Sequence, residues 1–462
     1  MLEVWVRRRS TDLVLYILSF VVPFTVYALT LNGYYASDHP NSMLDLQYSL
    51  LVNHTPILPS WMASNSVDVS LYHGVYSSAI APGASILSAP FGAVGILLDK
   101  QFTLFGWQRL FDELFVALCA SLSSLLVFRV ARMFWGAKAS FFASLTFSFG
   151  TLVWPYATVL FQHDVATLFV LLGAYFSLRG KPRSAGFTLG VAMLVDYTAT
   201  LFFIPYVWLA QKKWGLRGVV NLSLGCVLSG WTGLAYNFWV FKNPLIFPEE
   251  YWVGAHGSLF SRFTPSLAPE HFALLLFSPY RGLALFSPIL VVGAVSLYHM
   301  SRSPKLYEAV VFFASLFTVN LVFYSFWGDW RGGLSYGPRF MVDSTPFLAI
   351  PIAGLVEGCR QNWVKPPVFA LYAYSVFVQA IGSFTDVFSG YGGWRFYQPF
   401  DYNLGLLLRG RLSVWWIDIG VGEPLYVKYV FVLCTIVIVY TLGALALWGF
   451  GFPAFRWLNR PR

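Results

Sequence analysis

Asp38 is the earliest residue in the chain whose type and position suit catalysis. It lies in the run Ser37-Asp38-His39-Pro40, shortly after the first long apolar segment, residues 13–31. A carboxylate beside such a segment can act as a general base when it is held near an acceptor hydroxyl. The alternative is a solvated loop acid, or the N-cap of the helical-looking residues 41–52. The other polar segments of the sequence are needed to choose between these interpretations.

The segment at residues 327–339, WGDWRGGLSYGPR, has the most unusual composition in the chain. Arg331 and Arg339 carry planar, permanently charged guanidinium groups that match the oxygens of a phosphate. The glycines let backbone N–H groups approach an anion. Tryptophan and tyrosine would also suit a membrane-interface belt, but a belt does not account for the glycines and arginines together. With Arg281 of the run SPYRGL as a third cation, the segment predicts a phosphate site.

Two shorter motifs carry further candidates. The run Tyr72-His73-Gly74-Val75-Tyr76, followed by Ala81-Pro82-Gly83, predicts a tight turn leading into a surface helix. Glycine permits close backbone approach there, and proline suits the first helical turn. The alternative role is a structural re-entrant turn. The pair His163-Asp164 stands at the predicted start of a helix, where an Asp can also simply compensate the helix dipole.

Composition places these residues in a membrane protein. Of the 462 residues, 57% are hydrophobic and 11% are charged, and the mean hydropathy is +0.62. Apolar runs of about 17–25 residues, the length that crosses a bilayer, recur along the chain. The net charge of +9 comes from short basic clusters between those runs, which is typical of membrane orientation. We therefore expect an all-α polytopic membrane protein and no nucleic-acid partner.

The basic clusters predict the orientation of each segment. The arginines at residues 7–9 put the N-terminus in the cytoplasm and the first polar loop, residues 32–108, on the outer side. Residues 80–98 are apolar, but their prolines and glycines favour a surface or re-entrant helix buried against protein. Residues 185–210 have basic clusters at both ends, which predicts two short helices that turn near Asp196. The pattern predicts about twelve crossings, with both termini in the cytoplasm.

The same distribution predicts where chemistry can occur. Most of the 30 lysines and arginines fall on the cytoplasmic side, and most of the 21 acids fall on the outer side. No cytoplasmic segment is long enough for a nucleotide-binding domain, and the sequence has no P-loop or dinucleotide-binding fingerprint. Residues 1–355 are predicted to form the catalytic membrane region. Residues 356–462 are predicted to add transmembrane helices and an outer loop at 387–424, with no separate soluble domain and an active site facing the extracytoplasmic side.

Taken in order, these motifs resemble a known family. The early-loop Asp, the run YHGVYSSAIAPG, the outer His-Asp pair, SPYRGL and WGDWRGGLSYGPR together are similar to polytopic glycosyltransferases of the GT-C fold. The similarity is to the lipid-carrier-dependent branch that includes protein O-mannosyltransferases and bacterial aminoarabinose transferases, and it covers roughly the first 350 residues. It implies a GT-C-like membrane fold with surface or juxtamembrane helices in the first outer loop.

The resemblance also implies roles for the motif residues. Asp38 corresponds to the family's first-loop base, and His39 stands where relatives often have a second acid, so no metal ion or other cofactor is assigned. The implied donor-phosphate residues are Arg281, Arg331, Tyr336 and Arg339. The implied substrate-lining residues are His73, Tyr76, His163, Asp164, Trp327 and Asp329.

The predicted function is inverting transfer of a sugar from a polyprenyl (dolichyl) phosphate to a glycan, lipid or protein acceptor on the extracytoplasmic side. A lipid carrier is also expected physically, because nucleotide sugars stay in the cytosol. The alternative is a transporter or flippase of a lipid-linked saccharide, for which internal repeats and acids at the membrane midplane would be typical. No repeat is evident, and apart from Asp196 the acids gather at the outer surface. A structural membrane subunit is a third interpretation.

Overall fold

The computed structural model describes most of the chain, namely residues 2–33, 37–64, 66–102, 106–254, 258–358, 362–388, 398–419 and 425–448. Within these ranges the protein forms nineteen α-helices and one two-stranded hairpin. Parts of the predicted outer loop at 387–424 lie outside the described residues. So do residues 449–462.

The first half of the described chain contains a series of helices, interrupted once by the hairpin. They are α1 (Leu2–Leu29), α2 (Asp38–Tyr48), α3 (Ser60–Ala63), α4 (Gly83–Gln101), α5 (Trp107–Ala131), α6 (Ala137–Gly150), α7 (Val153–Tyr156), α8 (Gln162–Leu178), α9 (Pro182–Val195) and α10 (Phe203–Phe241). The hairpin consists of antiparallel strands β1 (Val69–Tyr72) and β2 (Val75–Ser78). A π-helical turn, Ser49–Asn53, follows α2.

The second half has shorter helices and more turns. Its helices are α11 (Ala268–Phe277), α12 (Leu283–Phe286), α13 (Leu290–Met300), α14 (Tyr307–Phe326), α15 (Pro346–Gly358), α16 (Lys365–Phe384), α17 (Pro399–Leu408), α18 (Trp415–Ile419) and α19 (Leu425–Trp448). Among the described residues of the chain, 3₁₀ turns are Tyr197–Phe202, Pro248–Tyr251, Leu259–Arg262, Pro265–Leu267, Arg339–Ser344 and Asn362–Val364.

Several helices have the length and composition of membrane spans. In the part of the chain that the structure describes, six such segments occur: Asp12–Leu29, Trp107–Ala131, Tyr197–Phe241, Tyr307–Phe326, Lys365–Phe384 and Leu425–Trp448. Shorter apolar helices, Leu290–Met300 and Pro346–Gly358, accompany them. The chain is therefore a multi-pass membrane protein. The prediction of about twelve crossings rests on the basic clusters and stays a prediction.

The predicted turn within residues 185–210 is present at Asp196. Helix α9 ends just before it, and the Asp196 side chain accepts a hydrogen bond from the Thr198 backbone N–H at 2.9 Å, which caps the following 3₁₀ turn. Helix α10 then changes direction at Gly215, where the backbone is not helical. The sequence prediction of two short helices turning near Asp196 is confirmed.

Helix α2 is fixed to the bundle by a buried amide. Gln47 Nε2 donates to Ser88 Oγ of α4 and to Asp112 Oδ1 of α5, both at 2.6 Å. A buried polar group of this kind is stable only when its partners are in place, so the three helices have one defined arrangement. Of the apolar residues 80–98, predicted to be buried against protein, those from Gly83 onward lie in α4, which packs on α5 and α2. This arrangement sets the position of Asp38 at the start of α2.

The tight turn predicted around Tyr72 to Tyr76 is the loop of a β-hairpin, and the chain then enters helix α4 at Gly83, with Pro82 as its N-cap. His73 and Gly74 have φ values of +47° and +80°, as the central residues of a two-residue hairpin loop of type I′ require. The Tyr72 ring packs edge-on against Phe241 at 5.8 Å. The all-α prediction thus misses one small sheet, because alternating Tyr and Val around a His-Gly pair suits a hairpin as well as a turn. The predicted domain boundary at residue 355 stays a prediction.

Candidate functional site

A cavity of about 620 Å³ lies at one end of the helix bundle. Its wall includes the start of α2, residues next to the hairpin, the start of α8, the segment after α9, the segment between α10 and α11, the end of α14 and parts of residues 327–340. Aromatic and aliphatic side chains form much of this wall, and charged groups interrupt it. Such a lining suits a ligand that has both an apolar and a charged part.

Several residues singled out in the sequence line this cavity. They are Asp38, His163, Trp327, Asp329 and Arg339. They come from the first polar loop, the start of α8 and the segment at residues 327–339, which are far apart in the sequence. The fold therefore brings the most polar segments of the chain to one place.

Other predicted residues are not on the cavity wall. They are His73, Tyr76, Asp164, Arg281, Arg331 and Tyr336. His73 is exposed at the tip of the hairpin, and Tyr76 lies on β2. Asp164 is fully buried, and its carboxylate oxygens have no hydrogen-bond partner among the described residues. For these residues the sequence indicated the segment but not the direction of the side chain.

Arg281 contacts the backbone of residues 327–339, which we call the glycine loop, and Tyr336 anchors this loop to α16. The fully buried Arg281 guanidinium donates from Nη1 to the Arg331 carbonyl and, at 2.8 Å, to Ser335 Oγ. Tyr336 is also fully buried, and its hydroxyl donates to a backbone carbonyl of α16 at 2.7 Å. These contacts fix the shape of the loop and do not reach the cavity.

Arg339 is the predicted phosphate ligand that lines the cavity. Its guanidinium carbon lies 5.2 Å from the ring centroid of Phe161 and 5.0 Å from that of Phe340. Its Nε is buried and makes no hydrogen bond with any other described residue. Gly332, with a φ of +69°, leaves the space that Arg339 occupies, because a Cβ there would meet Nε at 2.6 Å. Two rings hold the side chain while a donor remains for a ligand oxygen.

Asp38 is the first residue of α2 and is half-buried. The N-cap of this helix is Ser37, and no side-chain cap hydrogen bond forms, so the interpretation of Asp38 as an N-cap is wrong. Burial raises the pKa of Asp38, and a hydrogen bond from the Val67 backbone opposes that change without cancelling it. The carboxylate is therefore more basic than that of an exposed Asp.

Asp68 and His39 also line the cavity, and the sequence analysis gave them no role there. His39 Nε2 donates to Gln162 Oε1 at 2.7 Å, and its Nδ1 lies 3.7 Å from Asp68 Oδ2. Burial raises the pKa of Asp68 to about 6; the charge of Arg339 opposes this rise and that of Asp38 adds to it. Asp68 therefore lies within electrostatic reach of both Asp38 and Arg339. No local sequence motif identifies Asp68 as a site residue, because only the folding of the hairpin brings it close to α2.

Glu249 and Arg262 reach the cavity from the segment between α10 and α11. Arg262 Nη2 donates to the Glu249 carbonyl at 2.8 Å, and its guanidinium carbon lies 5.2 Å from the centroid of the Trp252 ring. Burial raises the pKa of Glu249 to about 7, and the charge of Asp196 adds to this rise. The loop has little periodicity, so the sequence offered no signal that would place these side chains at the site.

His163, Asp196 and Asp343 form a buried group of possible metal ligands. His163 Nδ1 lies 3.3 Å from Asp196 Oδ2 and 3.5 Å from Asp343 Oδ1. One ligand atom from each residue lies within 4.8 Å of the others. The sequence does not indicate this group, because the three residues are far apart in the chain and follow no ligand spacing. One imidazole and two carboxylates are nevertheless a common donor set for a divalent ion.

Comparison with known proteins supports this fold at the level of structure. No protein-family model matches the sequence, and a comparison with curated proteins gives no match. The crystal structure of ArnT from Cupriavidus metallidurans in the apo state is 17% identical, with 96% of this chain and 77% of ArnT covered and a TM-score of 0.55. The chain has an ArnT-like, GT-C fold. The GT-C fold predicted from the motifs is confirmed.

Two further structures are similar to this ArnT-like chain. ArnT from the same organism bound to undecaprenyl phosphate is 15% identical, with 98% of this chain and 78% of ArnT covered and a TM-score of 0.49. The arabinosyltransferase EmbB from Mycobacterium smegmatis is 12% identical, with 95% of this chain and 41% of EmbB covered and a TM-score of 0.45. At these identities the similarity describes the fold, and function must be argued from the cavity.

Proposed function

We propose that this protein is a glycosyltransferase that moves a sugar from a polyprenyl phosphate to an acceptor hydroxyl with inversion. The observation that carries the proposal is one cavity lined by Asp38, Arg339 and many apolar side chains. A lipid-linked sugar phosphate has the matching parts: an apolar chain, a charged phosphate and a reactive sugar carbon. The ArnT-like fold agrees with this class of reaction.

In the proposed step Asp38 takes the proton of the acceptor hydroxyl, and the acceptor oxygen forms a bond to the anomeric carbon of the sugar. The bond between that carbon and the phosphate oxygen breaks, and the electron pair leaves with the lipid phosphate. The phosphate changes from a diester with one negative charge to a monoester with more charge. Arg339 stabilises this growing charge, as a positioned cation does in a water-poor site. The raised pKa of Asp38 suits a base that must accept a proton.

The remaining residues divide into two groups. We assign Trp327, Asp329 and His163 to the substrate-lining surface, because each borders the cavity. Arg281 and Tyr336 act through the glycine loop and position Arg339. Arg262 is a second cation on the wall and a further candidate for the donor phosphate. We assign no contact with the donor to His73, Tyr76 or Arg331.

We infer about twelve crossings, with both termini in the cytoplasm and the cavity on the extracytoplasmic side. Helix α8 begins and helix α9 ends at the cavity, whereas their other ends meet at the exposed cluster of Arg179, Lys181 and the neighbouring arginine. Basic clusters prefer the cytoplasmic side, so the opposite end faces outward. Labelling with a membrane-impermeant maleimide tests this in a variant without its natural cysteines. Gly333→Cys should react from outside intact cells, and Lys181→Cys should not.

The test of the reaction uses purified protein in lipid nanodiscs, a panel of polyprenyl-phosphate sugars and a membrane extract as the acceptor source. The measurement is release of free polyprenyl phosphate. Asp38→Asn should lower that rate by about 10²- to 10⁴-fold, the usual contribution of a positioned base. Asp45→Asn is the matched control, because Asp45 lies on the same helix but not on the cavity wall.

The outcomes separate the candidate functions. A flippase would move the labelled lipid across the bilayer without releasing lipid phosphate. A structural subunit would do neither, and its outer acids and arginines could be replaced at little cost. Full transfer activity in a folded Asp38→Asn variant would contradict the proposed role of that carboxylate.

A further inference from the structure

The group formed by His163, Asp196 and Asp343 lies against the cavity but has no role in the proposed step. The three side chains come from the start of α8, the turn after α9 and the 3₁₀ turn Arg339–Ser344. Their side chains are only 2%, 8% and 2% exposed, respectively. Titratable groups buried this deeply are retained only when they are paired or bind an ion. The group therefore calls for a partner of defined chemistry.

The distances within the group match those around a bound metal ion. Zinc bonds to imidazole nitrogen and carboxylate oxygen are about 2.0–2.1 Å long, and a tetrahedral arrangement then separates the ligand atoms by about 3.3–3.4 Å. His163 Nδ1 lies 3.3 Å from Asp196 Oδ2 and 3.5 Å from Asp343 Oδ1. These two separations are close to those that a tetrahedral ion requires, and all three ligand atoms lie within 4.8 Å of one another.

The hydrogen bonding of His163 supports the same conclusion. Neither ring nitrogen makes a hydrogen bond of normal geometry with a described residue, although the side chain is almost fully buried. Buried polar atoms nearly always have such a partner. Phe161 and Phe340 pack around the ring at centroid distances of 5.2 and 6.1 Å and fix its plane. A metal ion on Nδ1 would satisfy that atom.

The carboxylates are oriented by their own hydrogen bonds. Asp196 Oδ1 accepts from the Thr198 backbone N–H at 2.9 Å and from Thr198 Oγ1 at 2.7 Å, which leaves Oδ2 directed at His163. Asp343 Oδ1 accepts from Thr167 Oγ1 at 3.3 Å. Hydrogen-bonded outer residues of this kind orient the ligands in known metal sites and raise their affinity.

The negative charge of this group favours the binding of a cation. Two carboxylates around one imidazole leave a net negative charge whether or not the imidazole is protonated. In the described part of the chain, His163 is the basic side chain within ion-pair distance of Asp196 and Asp343. Asp164, fully buried and next in sequence, adds a further carboxyl group nearby. Buried charge without compensation is costly, and a divalent ion provides the compensation.

We propose that His163, Asp196 and Asp343 bind a divalent transition-metal ion, with zinc as the best match. The donor set of one imidazole and two carboxylates suits zinc and its neighbours in the first row. His163 and Asp196 line the cavity and Asp343 lies behind them, so a fourth ligand can come from the cavity as water or a substrate oxygen. The binding site does not depend on the proposed transfer reaction, and it can be tested without it.

The experiment measures metal content in the full-length protein, purified with an affinity tag that contains no histidine. The protein is treated with a chelator, incubated with zinc sulfate, separated from unbound metal by gel filtration and analysed by mass spectrometry. We expect about one tightly bound zinc per chain, as in sites with three protein ligands. Cobalt loading should give the visible absorption of a tetrahedral ion.

Variants distinguish a metal site from a structural ion pair. His163→Gln and Asp343→Asn should weaken zinc binding by more than the roughly 10- to 100-fold that loss of an outer-shell partner causes. Thr198→Val should fall within that smaller range. His163→Cys should retain zinc, because a thiolate is a zinc ligand but cannot replace an imidazolium cation. His39→Gln, which changes another buried histidine on the cavity wall, should bind zinc like the natural protein.

Zinc should also raise the melting temperature of the natural protein and of His39→Gln, but not that of His163→Gln. This measurement shows in addition that each variant is folded. The proposal is wrong if the folded natural protein retains no more metal than His163→Gln. A transferase that is active without zinc would leave the metal site intact as a finding, and an inactive protein that binds zinc at these residues would contradict only the proposed reaction.

Discussion

Two polar segments of this protein meet at the cavity, and they do so in opposite ways. In the first, residues 37–83, Asp38 and Asp68 are distant in sequence but close in space. Ser42 Oγ donates to the Asp68 carbonyl at 2.6 Å and pairs with Ser78 Oγ at 2.8 Å, so the hairpin folds back on α2. In the second, the glycine loop, Arg331 and Arg339 are near neighbours in sequence, yet one lines the cavity and the other does not.

The difference comes from the backbone. Gly332, Gly333 and Gly337 all have φ near +68°, with values of +69°, +67° and +68°, and each turns the chain in a way that other residues adopt at a cost. The two strands of the hairpin instead pair regularly with each other, and side-chain hydrogen bonds join the hairpin to α2. The direction of a charged side chain next to several glycines is therefore hard to predict from sequence. The direction of one that follows a regular helix or strand is easier to predict.

Arginine substitutions in the glycine loop test this difference most strongly. Arg339→Gln should lower kcat for lipid-phosphate release by about 10²- to 10³-fold, as loss of a donor that stabilises developing charge does elsewhere. Arg331→Gln should change it by about twofold or less, in the range of substitutions away from the site. Steady-state kinetics on both variants measure the contrast. Equal losses would mean that the two side chains share the site.

The pH dependence of the reaction tests the pairing of Asp38 with Asp68. A general base must be ionised, so kcat/KM should fall as the pH falls through the pKa of Asp38, which burial raises. Burial raises the pKa of Asp68 further, to about 6, and the charge of Asp38 adds to that rise. Asp68 therefore takes up its proton first as the pH falls, and Asp68→Asn should leave the acidic limb of the pH profile in place. A limb that moves to lower pH would show that the charge of Asp68 acts on Asp38.

Alanine at two glycines tests the strain within the loop. A Cβ on Gly337 would meet Leu152 at 2.6 Å and Phe286 at 2.9 Å, whereas one on Gly333 meets nothing within 4 Å. Both changes should lose roughly 1–2 kcal/mol of stability from the left-handed backbone. Gly337→Ala should lose about 1–3 kcal/mol more from overpacking. Thermal unfolding in detergent measures the difference, and equal melting temperatures would contradict the packing around Gly337.

The smallest effect is expected at the tip of the hairpin. His73 is exposed and has a φ of +47°, a conformation that Asn adopts more readily than most residues. His73→Asn should leave both kcat and KM within about twofold of the natural protein. A large rise in KM would mean that the hairpin tip contacts a substrate after all, as the family resemblance first implied.

The sequence by itself determined the helices, the membrane character and the segments that hold the site. Long apolar runs between basic clusters can only be satisfied in a bilayer, and a stretch with basic clusters at both ends needs a turn such as that at Asp196. The motifs in their order also indicated the GT-C fold. The helices and the membrane character are local features, so periodicity and composition are enough to find them, whereas the GT-C fold was implied by the family resemblance.

Only the tertiary structure decided which charged groups share the cavity. Asp68, Glu249 and Arg262 reach it through a hairpin and loops without periodicity, and Arg281 turns away from it to hold the glycine loop. The group of His163, Asp196 and Asp343 comes from separate turns at the ends of different elements. Such meetings depend on hydrogen bonds and packing between distant parts of the chain. No spacing of residues along the sequence indicates these contacts.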